Sequence, residues 1–179
     1  MSNTSTGSAA ADAAPTLQAS ALAAPDGGKL HFEDFPQGVW VEFGNKQVSE
    51  AEILAFAEEF DFQPHHMDAE VAKRSLLGGL AASGWHTCCI GMRLVCDGYL
   101  LRSASLGANF NEEVRWLKPV KPGDVLSGRF KVLEKRTSRS KPALGICPTL
   151  IELSNQKGEL VMSWQPSQFL IRRNPGAAS

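Results

Sequence analysis

Neither sign of charge predominates in this chain of 179 residues: 18 Lys and Arg stand against 19 Asp and Glu, a net charge of −1. A duplex-binding surface needs a basic surplus to neutralise phosphates, so nucleic acid is not an expected partner. Long hydrophobic runs are also lacking; none reaches the roughly 18 residues that cross a bilayer. The first residues show no basic n-region followed by a compact apolar core, as a signal peptide has. The chain therefore reads as cytoplasmic, with no membrane partner. Glycine-rich phosphate loops of the nucleotide-binding kind are missing, which makes nucleotide hydrolysis and dinucleotide oxidoreduction poor fits. Cysteine is scarce and unpaired in pattern: Cys88 and Cys89 are adjacent, Cys96 and Cys147 stand alone. That spacing offers no CxxC motif and no zinc site, so neither a metal nor a disulfide is expected. The four thiols read as small buried hydrophobes, with Cys147, in a loop-rich neighbourhood, as the one candidate for a reactive thiol.

What is present suits one globular domain: 43% hydrophobic residues against 21% charged, too apolar for a wholly disordered chain. Residues 1–28 differ from the rest. They are mostly Ala, Ser, Thr, Pro and Gly, with Asp12 and Asp26 as their only acids and no aromatic ring. Such a segment buries too little apolar surface to offset its backbone entropy and is expected to be a disordered tail. Residues 174–179 are expected to fray, leaving 29–173 as the domain.

Within that domain, 38–43 alternates and is rich in Val and aromatics, as a strand does. Ser49 and Glu52 form a capping box, after which Ile53, Phe56, Ala57 and Phe60 recur at helical spacing. Pro64 disfavours a helical Gln63, which ends that helix near Phe60. A second short helix is expected over 68–75, with Asp68 as its cap. Gly78 and Gly79 then break the chain before a long apolar helix. Ser83 is its N-cap, Gly98 its stop, and Trp85, Cys88, Cys89, Met92, Val95 and Cys96 its expected buried face. From residue 103 the pattern turns to strands at 103–110, 112–118, 124–137, 144–155 and 159–173, separated by Pro and Gly turns. One strand, helices and then a run of antiparallel strands predicts an α+β domain, its sheet wrapped around the long helix.

Chemistry concentrates between the first two helices. Asp61 and His66 lie five apart across a proline, and a carboxylate beside an imidazole is a usual acid–base pair. Spacing alone equally suits a turn residue that closes a helix and a surface imidazole. However, Asp61-Phe62-Gln63-Pro64-His65-His66 resembles the D-x-N-P-x-H signature of the MaoC-like, (R)-specific enoyl-CoA hydratases. Gly78-Gly79-Leu80-Ala81-Ala82-Ser83-Gly84 is similar to their glycine-rich entry to the central helix. Pro119-Val120-Lys121-Pro122-Gly123-Asp124 is similar to their P-V-x-P-G-D element. Three motifs in the family's order span most of 35–173. Gln63 stands where the family usually has Asn, and Ser83 where many members carry His.

The resemblance implies a hot-dog fold, a homodimer whose sheets join edge to edge, and an acyl-CoA thioester as substrate near the subunit boundary. It implies reversible hydration of a trans-2-enoyl-CoA to the (R)-3-hydroxyacyl-CoA by Asp61 and His66, with no cofactor. The Gly84 backbone N–H is the implied donor to the thioester oxygen. Its place agrees with that role, because N–H groups that open a helix lack internal partners. Packing against the sheet is the alternative reason for a glycine there.

Gln63 and Ser83, bordering the pair, and Trp85 are candidate substrate-binding residues, and Trp85, Trp116 and Trp164 are candidates to narrow an acyl pocket. Arg136, Arg139 and Lys141, with Lys135, are candidates to meet CoA phosphates or form a solvated strand end. His65 is expected to face away from His66, His86 to pack near the site, and His31 to be exposed. Two rival functions remain. A hot-dog acyl-CoA thioesterase is disfavoured because residues 84–95 carry no carboxylate; a non-catalytic acyl-CoA-binding subunit has no need of the Asp61/His66 pair.

Overall fold

The computed structural model describes residues 15–176. In chain order its elements are β1 (Thr16–Gln18), β2 (Trp40–Gln47), α1 (Glu50–Phe60), α2 (Pro64–Met67), α3 (Ala69–Lys73), α4 (Gly84–Gly98), β3 (Ser105–Trp116), β4 (Val125–Val132), β5 (Arg136–Thr137), β6 (Leu144–Ser154) and β7 (Leu160–Ile171). The strands form one sheet in the order β1-β2-β4-β6-β7-β3, with β5 pairing β6 off that path. Every pairing is antiparallel except β1 with β2. The sheet curves around α4, as the α+β reading expects.

The tail assignment needs correction. Residues 1–14 lie outside the described residues, as do 177–179, but Thr16–Gln18 pairs with Trp40–Glu42. Ala19 and Leu22 are buried in the main core. The physical reason is a receptor the composition could not show. Arg102 donates to Ala19 O at 2.8 Å and to Leu22 O at 3.2 Å, holding a segment that has little adhesive surface of its own.

Helix α4 is also rotated from the expected phase. Its buried residues are His86, Thr87, Ile90, Gly91, Leu94 and Val95, whereas Trp85 is 62% and Met92 47% exposed. Cys89 is exposed, and Cys88 and Cys96 are half-buried. The face carrying Trp85 and Met92 turns toward the free edge of the sheet, while the buried face meets β2 and β4. Close approach explains Gly91: a Cβ there would stand 2.9 Å from the Trp164 ring and 3.0 Å from Leu153. Ile90, Leu94 and Val95 each contribute on the order of 1.5–3 kcal/mol by leaving water.

Smaller departures follow local rules. β3 is one strand rather than two, its register shifting at three places along β7. β4 ends at Val132, and only Arg136–Thr137 resumes pairing. Ser49 Oγ accepts from the Glu52 N–H at 3.2 Å, but Glu52 Oε2 turns to Lys46 Nζ at 2.9 Å instead of completing the box on the Ser49 N–H. Asp68 caps α3 as expected, accepting from the N–H groups of Glu70 and Val71. No helix of the described residues is long and apolar enough to cross a membrane.

Candidate active site

Asp61 is the C-cap of α1, its N–H returning to Ala57 O at 3.0 Å. Gln63, extended before proline as the ring requires, caps the single turn of α2. That turn carries His66 back over Asp61, so that Nε2 lies 3.7 Å from Oδ2. The two side chains are only 8% and 15% exposed. Asp61 and His66 are therefore brought together.

The other motifs serve this pair. Ala82 N–H donates to Val120 O at 2.8 Å, tying the segment before α4 to the Pro119–Asp124 element. Ala81 O, held in place by that tie, receives His66 Nδ1 at 2.9 Å. A carbonyl only accepts, so Nδ1 carries a proton and Nε2 is the ring nitrogen that faces Asp61. Ser83 Oγ donates to Asp61 Oδ2 at 2.5 Å while accepting from the Trp85 N–H at 3.2 Å. Gln63 Nε2 donates to Asp61 Oδ1 at 2.6 Å, so the longer amide still reaches its target. The bond from Ser83, then that from Gln63, holds the Asp61 carboxyl below the ordinary carboxylate range.

Gly84 opens α4 beside this carboxylate, and its N–H has no acceptor among the described residues. Its carbonyl accepts from Trp116 Nε1 at 2.8 Å, and a Cβ would meet that indole at 2.8 Å. Both reasons for a glycine are thus visible: a free N–H on one side and a packed ring on the other. Trp116 meets Trp85 edge-on, ring centres 5.4 Å apart. Trp85 and Trp164 line a cavity of about 310 Å³ between α4, β3 and β7, and Trp116 is not among its lining residues.

Several expectations fail. His65 does not face away, because neighbouring residues of a helical turn diverge by about 100° rather than alternate; its ring centre is 4.3 Å from that of His66. Cys147 lies inside β6, 1% exposed, and burial pushes its thiol up to about 12, which leaves no reactive thiol there. Of the four cysteines it alone is buried. Arg136, Arg139 and Lys141 are not gathered at the pair. β5 joins β6 at Gly145–Ile146, opposite Phe169–Leu170, whereas the α4 entrance lies at the Val161 end of β7. About eight strand steps of 3.3 Å put the two ends roughly 25 Å apart. Lys135 is committed to structure, donating to Phe35 O at 2.9 Å over the Phe32 ring.

His86 is buried, as expected, but sequence reasoning missed its partner Glu52. From the first turn of α4, His86 stacks on Phe56 at 4.7 Å, with Nε2 3.9 Å from Glu52 Oε1. His86 Nδ1 and Glu52 Oε1 are buried without hydrogen-bond partners, and burial lowers the His86 pKa. The broken capping box at Glu52 is the local sign of this contact. Among the described residues no three His, Cys, Asp or Glu side chains gather as a metal site.

Comparison with known proteins bears on the family and the fold. The family model described as "MaoC like domain" matches residues 36–147. The uncharacterized protein YdeM of Bacillus subtilis is 32% identical over 145 residues, which cover 80% of this chain and all of that protein. A MaoC-like dehydratase from Rhodospirillum rubrum is 40% identical with a TM-score of 0.75, over 80% of this chain and 98% of that one. An (R)-hydratase from Pseudomonas aeruginosa, at 18% identity, shares the fold: TM-score 0.61 over 80% of this chain and 86% of that one. The chain has a hot-dog fold and belongs to the MaoC-like dehydratase family.

Proposed function

We propose that this hydratase/dehydratase adds water reversibly to a trans-2-enoyl-CoA, giving the (R)-3-hydroxyacyl-CoA. The observation that carries the reading is the 3.7 Å separation of Asp61 Oδ2 and His66 Nε2. The gap is too wide for a direct hydrogen bond, and with the ring neutral both atoms are acceptors, so one water can donate to each. Its oxygen forms a bond to the β carbon and one of its protons passes to the pair. The alkene electrons move onto the thioester, whose oxygen meets the Gly84 N–H at the positive end of α4. The pair then returns a proton to the α carbon, and no cofactor is required. Base and acid roles are assigned to the pair as a unit.

The acyl chain enters the cavity past Trp85. Among the described residues the long outer edge of β3 is unpaired, and Trp85, Met92 and Leu106 beside it are exposed, which suits a second copy of the chain. Antiparallel pairing of two β3 edges sets the basic end of one protomer near the α4 entrance of the other. Arg136, Arg139 and Lys141 enter this reading there, as contacts for the CoA phosphates. Glu52 is a carboxylate beside the central helix, the feature a thioesterase would need, but it is already paired with Lys46.

The test follows the enoyl-thioester absorbance of crotonyl-CoA and a longer trans-2-enoyl-CoA, with wild type and Asp61→Asn in parallel, and assays free thiol in the same samples. Loss of the band with wild type alone supports hydration; release of thiol makes the chain a thioesterase instead. Tight binding of CoA esters with no turnover of any enoyl-CoA makes it a binding subunit.

A further inference from the structure

The cavity between α4 and the sheet has a direction. Trp85 lines it at the start of α4 and Tyr99, with Gln168, at the helix's end, with Met92 between. From Trp85 to Tyr99 the helix advances on the order of 20 Å at about 1.5 Å per residue. Most of the wall is hydrocarbon and indole, as a plain alkyl chain prefers. The far end is not. Gln168 sits on β7 at an inward position, two residues beyond Pro166 and four beyond Trp164, and is only 7% exposed. Tyr99, wholly buried among Phe35, Phe43 and Phe130, donates its hydroxyl to Gln168 Oε1 at 3.3 Å. That bond fixes the amide. Its Nε2 has no acceptor among the described residues, and Gln168 faces the cavity.

An amide N–H at the end of an apolar groove is poorly matched to a methyl terminus. A chain that reaches it strips water from the N–H and gives nothing back, whereas an oxygen at the same place restores the bond. Resting on the hydratase reading above, we infer that Gln168 selects the acyl group: the substrate class is a long enoyl thioester bearing a hydroxyl, carbonyl or carboxylate oxygen at its distal end. Gln168 is a specificity residue, remote from the reacting carbons, and Tyr99 positions it.

The test compares trans-2-dodecenoyl-, tetradecenoyl- and hexadecenoyl-CoA, each beside its ω-hydroxy counterpart, on the full chain. At the chain length that reaches Gln168, kcat/KM for the ω-hydroxy thioester exceeds that for the plain one by roughly tenfold or more, while shorter pairs are equal. Gln168→Leu reverses the preference and acts through KM. Gln168→Met, close in shape, repeats the experiment if the leucine variant does not fold. Equal kcat/KM for plain and oxygenated chains at every length, with both hydrated, overturns the selection and leaves the hydratase reading standing. No loss of the enoyl band from any thioester overturns the hydratase reading, and the selection with it.

Discussion

Ser83 Oγ lies 2.5 Å from Asp61 Oδ2, so one hydroxyl both caps the central helix and holds the carboxylate of the acid–base pair. The position at which many relatives of this sequence motif carry histidine is here a mechanical joint between α1 and α4.

Ser83→Ala breaks that joint. Losing the cap costs about 1 kcal/mol of stability. Losing the hydrogen bond raises the Asp61 pKa, so an acid limb of kcat/KM that reports Asp61 moves to higher pH. The same sign governs folding: a depressed carboxyl contributes stability above its ordinary value of 3.8, and that contribution is lost as pH falls through the native value. Urea unfolding at neutral and acid pH should show the variant losing less on acidification than the wild type. An acid limb that does not move in Ser83→Ala would place the controlling group elsewhere.

Asp61→Asn and His66→Gln should each lower turnover roughly 100- to 10,000-fold with far-UV circular dichroism unchanged. The double variant should be little worse than either single one, because residues that act as a unit are not additive. Full additivity would mean that the two groups act in separate steps.

Gly84→Ala places a Cβ where Trp116 now packs, at an overpacking cost of about 1–3 kcal/mol. Trp116→Leu in the same chain opens the space and should return most of the lost stability, read as Tm. If it returns none, the indole contact is not what requires a glycine at that position.

Arg139→Glu should weaken CoA binding, more so at low salt, because exposed charges are screened as ionic strength rises. Titration calorimetry at two salt concentrations checks this. Unchanged affinity at both would leave that loop as a solvated strand end.

Arg102→Ala removes two hydrogen bonds to the carbonyls of the N-terminal segment, each worth about 1 kcal/mol net. Amide exchange of residues 16–22 should quicken while crotonyl-CoA turnover stays at the wild-type level. Protection that survives the change would credit the buried Ala19 and Leu22 instead.

The sequence was most legible where chemistry and backbone rules coincide. Pro64 forced Gln63 into an extended conformation, Ser83 and Asp68 capped the helices expected of them, and the Asp61/His66 pair forms across the proline. It was less legible where a residue's partner lies far along the chain. Nothing in the Ala- and Ser-rich beginning announces Arg102, and the apolar stripe of α4 does not say which of two neighbouring faces meets the sheet. Cys147 falls inside the expected strand 144–155, but its loop-rich neighbourhood did not show the antiparallel pairing with Gln168 that buries it. Gln168 left one trace, a polar residue in phase with the inward Trp164 and Pro166. Glu52 left another, in a capping motif whose carboxylate is needed elsewhere.

The three residues of β1 also govern how many copies can join. A sheet with two long open edges can add protomers without limit, and that is the geometry of a fibre. Here β2 is covered by a short parallel strand from its own chain, and only β3 offers a long unpaired edge among the described residues. Antiparallel joining of two such edges uses up the surface that made it possible. In that arrangement growth through the sheet would stop at a pair.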